Sequence, residues 1–187
     1  MVKIEDHCDP KKQIVVSRSF GERVSNLNTL KPIVSNFAVR AAEKLRSEKQ
    51  KCSQVSVFVR TSPFSDHKPQ HTGYKTIEFP TPTNDTRDIL IAAKKALLPI
   101  FKPGYDYAKA GILLSRFSNE ETKQYSLFKD PNEPKENSKF MKYIDKLNAY
   151  ETQIYFASQN TKKWSPMKQN MTSPKYTTCW YELPIAK

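Results

Sequence analysis

Residues 54–61 read Gln-Val-Ser-Val-Phe-Val-Arg-Thr, so that Val55, Val57 and Val59 alternate with Ser56, Phe58 and Arg60. Successive side chains of a strand point to opposite faces, so this period of two predicts one buried face of valines and one open face. Pro63 ends the strand. Just upstream, Leu30, Ile33, Val34, Phe37, Ala38, Ala41, Ala42 and Leu45 recur at i, i+3, i+4, i+7, with Arg40, Glu43, Lys44 and Arg46 off the stripe. That spacing predicts an amphipathic helix, with Asn28 as its cap and Pro32 inside its first turn. Further upstream the β-branched run Gln13–Phe20 reads as a strand stopping at Gly21, preceded by a polar lead-in, 1–12.

Downstream, a loop with Pro69 and Gly73 leads into a strand, Tyr74–Phe79, ended by Pro80 and Pro82. Asp85 and Asp88 form a capping arrangement before a second apolar stripe, Ile89, Ala92, Ala93, Ala96, Leu97 and Ile100, which Pro99 kinks and Pro103-Gly104 ends. Tyr107–Leu114 alternates again, with Ala108, Ala110, Ile112 and Leu114 on one side and Tyr107, Lys109, Gly111 and Leu113 on the other. The order strand, helix, strand, strand, helix, strand predicts an α+β fold. This is a four-stranded, ferredoxin-like βαββαβ sheet with both helices on one face and the other face left to solvent or a ligand.

All seven arginines lie at or before Arg116, whereas eleven lysines and no arginine follow it, which suggests a module boundary. Ser118–Asn137 is polar, carries Pro131 and Pro134, and has one apolar island, Tyr125–Phe128. A helix, Ser138–Asn148, presents Phe140, Met141, Ile144 and Leu147. A strand, Gln153–Ala157, is expected next, before a tail with Trp164, Tyr176, Trp180 and Tyr181. The chain therefore divides into a lead-in (1–12), a sheet module (13–120), a linker (121–137) and a small α/β appendage (138–187). At about 50 residues, the appendage is marginal as an independent unit.

The chain of 187 residues carries 31 Lys and Arg against 19 Asp and Glu, a formal charge of +12, which points to a polyanionic partner. Its four glycines lie too far apart for a phosphate-cradling loop. No apolar run approaches a membrane span. Three widely spaced cysteines give no disulfide framework and read as a reducing, cytoplasmic compartment. His67 and His71 are separated by Pro69, so no metal site is expected. Glu22, Glu43, Glu48, Asp66, Glu78, Asp85, Asp88 and Asp106 provide no adjacent pair on a strand, so neither catalytic residues nor a cofactor is expected in this chain.

Binding to a nucleic-acid backbone fits better. Ser17, Ser19, Arg60, Lys75 and Lys109 are expected on the open face or its rim, with Arg18, Arg23 and Arg116 near strand ends, and small residues such as Ser19, Gly21 and Gly111 permit close approach. Ordinary solvated charge is the competing explanation. The RNA-recognition arrangement of the same topology stacks bases on sheet aromatics, but the third strand here reads YKTIEF and the first offers only Phe20. Duplex backbone binding is therefore favoured over stacking.

SRSFGERV (17–24), AVRAAEKLRSE (38–48), RTSPF (60–64), TPTNDTRDI (81–89) and YAKAGILL (107–114) together resemble the C-terminal region of the UmuC family, error-prone Y-family DNA polymerase subunits of the SOS response. Trp164, Met167 and SPKYTT (173–178) are similar to the domain that closes such chains. The resemblance covers the chain from about Gln13 onward. It implies that 13–120 is a little finger lying along primer-template DNA, with Arg18, Ser19, Gly21 and Arg23 and also Lys109 meeting its backbone. It also implies that Gln124, Tyr125, Ser126, Leu127 and Phe128 form a sliding-clamp peptide, with Tyr125 in place of the usual Leu. A UmuD′-type subunit and a RecA filament are further implied partners, alongside structural packing, for the tail. The family's palm, with its Mg²⁺-binding carboxylates, is not among these residues, so synthesis is not expected of this chain. A fragment of a longer polymerase and a stand-alone regulatory module both remain consistent with that.

Overall fold

The computed structural model describes residues 10–64, 69–121, 138–150, 154–159 and 171–183. Six elements follow in the expected order: β1 (Gln13–Val24), α1 (Leu27–Ser47), β2 (Gln50–Thr61), β3 (Thr72–Thr83), α2 (Thr86–Ile100) and β4 (Tyr107–Asn119). A third helix, α3 (Ser138–Ala149), comes after them. The sheet is antiparallel throughout with the order β1-β4-β2-β3. The strands that follow the helices are therefore central, and those that precede them form the edges.

Register explains the core. Val55 lies opposite Leu114, which lies opposite Ile14, and Val57 is aligned in the same way with Ile112 and Val16. All three valines of β2 are fully buried beneath Leu30, Ile33, Val34, Phe37 and Leu45 of α1 and Ile89 and Leu97 of α2. Burying each such side chain contributes about 1.5–3 kcal/mol.

Several boundaries differ from the sequence reading. The cap of α1 is Asn26, not Asn28: its side-chain oxygen accepts from the Asn28 N–H at 2.8 Å, and Pro32 falls inside the helix beyond its first turn. β3 runs through Pro80 and Pro82 to Thr83 instead of stopping at Phe79. Cys52 pairs with Thr83 and Gln54 with Glu78, so the two prolines occupy a bulge on an edge strand, where no ladder N–H is required of them. Asp85 caps α2 as expected, accepting from the Arg87 N–H at 2.8 Å, while Asp88 accepts from the Thr83 hydroxyl at 2.9 Å.

Tyr107 is fully buried, although alternation placed it on the open face. Thr61 pairs with Tyr107 and Arg60 with Lys109, so Ala108 is an extra residue that turns Tyr107 towards the helices. Its hydroxyl accepts from the Lys102 N–H at 2.9 Å and lies 3.2 Å from His71 Nδ1.

α3 docks at the end of this module through a residue pair distant in sequence. Arg46 is only 6% exposed and donates from Nε and Nη2 to the two carboxylate oxygens of Asp145 at 2.6 and 2.7 Å. It also donates to the Asn84 carbonyl and the Thr86 hydroxyl, each at 2.8 Å, so the buried guanidinium is well supplied with acceptors. Lys142 pairs with Glu120 at 2.9 Å. Of the predicted apolar stripe, Met141 and Ile144 are buried, whereas Phe140 and Leu147 remain about half exposed. The expected strand Gln153–Ala157 is not formed over its described residues, 154–157. Side chains satisfy the backbone there: the Ile154 N–H donates to Asn148 Oδ1 at 2.7 Å and the Phe156 N–H to Gln159 Oε1 at 2.8 Å. Among the described residues, no helix is long and apolar enough to cross a membrane.

Candidate nucleic-acid interface

Cross-strand neighbours share a face, so the register orders the open side of the sheet into four rungs. Ser19, Lys109, Arg60 and Thr72 form the first, and Ser17, Gly111, Phe58 and Tyr74 the second. Val15, Leu113, Ser56 and Thr76 follow, and then Gln13, Ser115, Gln54 and Glu78. From Lys109 to Ser115 the face extends about 20 Å, at about 3.3 Å per residue.

The two ends of this face differ in charge. At the fourth rung the polar groups satisfy one another: the Ser115 hydroxyl donates to Gln54 at 2.6 Å, Gln54 donates to Glu78 at 3.2 Å, and Arg116 pairs with Glu78 at 3.0 Å. At the first rung, Arg60 and Lys109 stand side by side between two hydroxyl residues, and neither makes an ion pair with another described residue. This end is the part of the face with unneutralised positive charge.

The expected site residues are only partly brought together. Ser19, Arg60 and Lys109 share a rung and Ser17 lies beside them, as expected. Lys75 pairs with Val57, which faces the helices, so Lys75 lies on the helix side of the β3 edge and not on the open face. Arg18 pairs with Ala110 and is likewise on the helix side, at the β1 edge. Gly21 and Arg23 lie where β1 bulges between Ser19 and Val24. Arg116 is at the far end, in a left-handed conformation with φ of 53°, engaged with Glu78. Residues 124–128 lie outside the described residues, as do Trp164 and Met167. Ser173–Thr178 is exposed and irregular or in turns.

Gly111 does not leave an open niche for a ligand. A Cβ there would come within 2.5 Å of both Phe58 Cζ and Ser17 Cβ, so the aromatic ring already occupies that space. The face also has aromatics that the comparison of first and third strands did not foresee. Phe58 comes from β2, and its cross-strand neighbour Tyr74 is 58% exposed. Hydrogen bonds with Ser56 and Thr76 hold the Tyr74 phenol below its usual range. The alternation of residues 54–61 placed Phe58 on the open side, but its pairing with Tyr74 required the register.

The chemistry available is that of a backbone binder. Arg and Lys supply charge-assisted donors, and Ser17, Ser19 and Thr72 supply hydroxyls, the mix that contacts phosphate and sugar. Among the described residues, no three His, Cys, Asp or Glu side chains gather as a metal site.

Residues 11–127 match the impB/mucB/samB family C-terminal domain, and residues 138–186 match a domain of unknown function, DUF4113. The chain is 42% identical over 188 residues to protein ImpB of Salmonella typhimurium, covering 100% of this chain and 44% of that protein. It is 42% identical to protein UmuC of Salmonella typhimurium (97% of this chain, 44% of the relative) and 41% identical to protein MucB of Escherichia coli (98% and 43%). The chain thus spans less than half the length of these curated relatives. Among solved structures, a complex of the β-clamp processivity factor with the little finger domain of PolIV aligns with a TM-score of 0.42 at 14% identity, over 62% of this chain and 97% of that one. An insertion ternary complex of Dbh DNA polymerase aligns with a TM-score of 0.43 at 9% identity, over 57% and 29%. With the matched domain spanning most of its length and the UmuC resemblance extending through it, the chain belongs to the impB/mucB/samB family.

Proposed function

We propose that the open sheet face binds the phosphate backbone of primer-template DNA, as the non-catalytic little-finger region of a UmuC-like translesion polymerase acting in SOS repair and mutagenesis. The observation that carries this reading is the first rung, where Arg60 and Lys109 lie adjacent between Ser19 and Thr72 with no acid on the rung. Contacts of this kind neutralise phosphates and release counterions, so binding is salt-sensitive and tolerant of sequence. In the same reading, Gln124–Phe128 docks as an extended peptide on a sliding clamp, with Leu127 and Phe128 filling an apolar pocket. Lys142–Glu120 ties the start of α3 to the end of β4, so the chain that carries this peptide returns to the sheet module. A UmuD′-type subunit and a RecA filament are further partners for the tail, and the reading places the protein in the cytoplasm at the nucleoid.

Titration of a labelled primer-template duplex tests the DNA assignment. Arg60→Ala with Lys109→Ala is expected to weaken binding at least tenfold near 0.1 M salt, and unchanged affinity would contradict the assignment. For the clamp, Leu127→Ala with Phe128→Ala is expected to abolish binding while leaving the circular dichroism spectrum intact, and undiminished binding would refute it.

A further inference from the structure

Outside the open face, a groove of about 640 Å³ runs along the outer edge of β1 and is bounded by α1. It is lined by Arg18, Arg40 and Lys44, with Ser17, Ser19 and Lys109 on the strand side. Glu43 is the one acid in its lining, and burial followed by the charge of Asp145 pushes its carboxyl above the usual range. Arg18, Arg40 and Lys44 are exposed, and none of them makes an ion pair with another described residue. Arg40 and Lys44 are four residues apart on one helix, a like-charge arrangement that costs an isolated helix about 0.2–0.5 kcal/mol. Glu43 beside them attracts Arg40, but no ion pair with another described residue holds either cation. β1 is an edge strand, so it also presents backbone N–H groups with no sheet partner on its outer side.

We infer that this groove is a second phosphate track, in which the DNA strand held at the first rung continues around the β1 edge onto α1. The inference rests on the reading of the open face as a DNA interface. Continuity is what selects DNA as the occupant: Ser19 and Lys109 belong both to the first rung and to the groove lining. A backbone crossing that rung meets Arg18 on the opposite side of the same strand, and then Arg40 and Lys44. Arginine and backbone N–H donors are the groups that hold phosphate without reading bases. An added protein strand would also use the edge, but it would not call for three exposed cations that make no ion pair with another described residue.

The test uses the full chain, a labelled primer-template duplex and titrations at several salt concentrations. Each lost phosphate contact reduces the slope of log affinity against log salt by about 0.9. Arg40→Ala with Lys44→Ala is expected to lower the slope by about two and the affinity about tenfold. The charge-conserving pair Arg40→Lys with Lys44→Arg is expected to restore both, which a merely structural role of these exposed residues would not require. Arg60→Ala, on the open face alone, is the separate arm. If Arg60→Ala lowers the slope and the Arg40/Lys44 variant does not, the groove inference is overturned while the open face stands. If the Arg40/Lys44 variant lowers the slope and Arg60→Ala does not, the groove binds DNA without the first rung, which overturns both the open-face reading and the continuous track inferred from it. An unchanged slope in both variants overturns both.

Discussion

One face of the sheet carries Ile14, Val55, Val57, Ile112 and Leu114 under two helices; the other carries Ser17, Ser19, Phe58, Arg60, Tyr74 and Lys109 under none. The same four strands make both faces, and alternation alone separates them. The helix side is closed by packing, with even its largest polar intrusion, Arg46, held by four hydrogen bonds. At the open side, one end neutralises itself through Gln54, Glu78 and Arg116, and the other keeps two adjacent cations. The contrast teaches that stability and binding are assigned to opposite faces here, so a substitution can be aimed at one with little effect on the other.

The largest effect is expected on the packed face. Leu30→Ala should lower the unfolding free energy by about 2–5 kcal/mol in a urea titration, whereas Val15→Ala on the open side should change it by less than about 0.5 kcal/mol. Comparable losses from the two would erase the distinction between the faces. Asp145→Ala removes the bidentate partner of a buried guanidinium, and because Asp145 is itself partly exposed the expected cost is about 2 kcal/mol. Limited proteolysis should then cut within 138–150 before the sheet module, and simultaneous cutting of both would contradict an anchoring role for this pair. Gly111→Val should displace Phe58 from the second rung at a cost of about 1–3 kcal/mol. A mutant structure with the ring unmoved would show that the crowding is relieved elsewhere.

Much of this was legible in residue order. Val55, Val57 and Val59 marked the central strand, and the two apolar stripes marked the helices and the face they cover. What was not legible is what depends on register and on distant pairs. Lys75 read as a cation of the open face or its rim and Arg18 as one near a strand end, until the register placed them opposite Val57 and Ala110 on the helix side. Tyr107 changed sides because one bulged residue reverses the phase of a strand, a shift that period-two counting cannot detect. Pro80 and Pro82 signalled a strand end, yet an edge bulge accommodates both. Arg46 and Asp145 are 99 residues apart, and no local pattern marks them as partners. Within the site, Arg60 and Lys109 were legible, whereas their neighbours Thr72 and Tyr74 needed the pairing of β2 with β3.

Smaller effects sharpen the contrast further. Burial, with the Lys102 charge as the second cause, lowers the pKa of His71, so the folded state favours the neutral ring. The unfolded chain then binds more protons below its pKa of about 6.5, and stability should decline as pH falls through that value towards the lowered folded one. His71→Asn should flatten this part of a melting-temperature profile, and an unchanged profile would remove His71 as its cause. Burial also pushes the Cys52 thiol up to about 12. Maleimide labelling read by mass spectrometry should therefore leave Cys52 unmodified in the folded protein while Cys179, in the exposed tail, reacts. Equal labelling would show that the packed face opens readily.

The most direct test of the open face as the DNA interface is a photo-crosslink from each side of the molecule. Tyr74 on the open face and Leu98 on α2 are 58% and 52% exposed, so either position can accept a photoreactive amino acid without disturbing the core. With a labelled primer-template duplex, irradiation is expected to attach DNA at position 74 and not at position 98. Equal yields at the two positions, or attachment at 98 alone, would contradict the account.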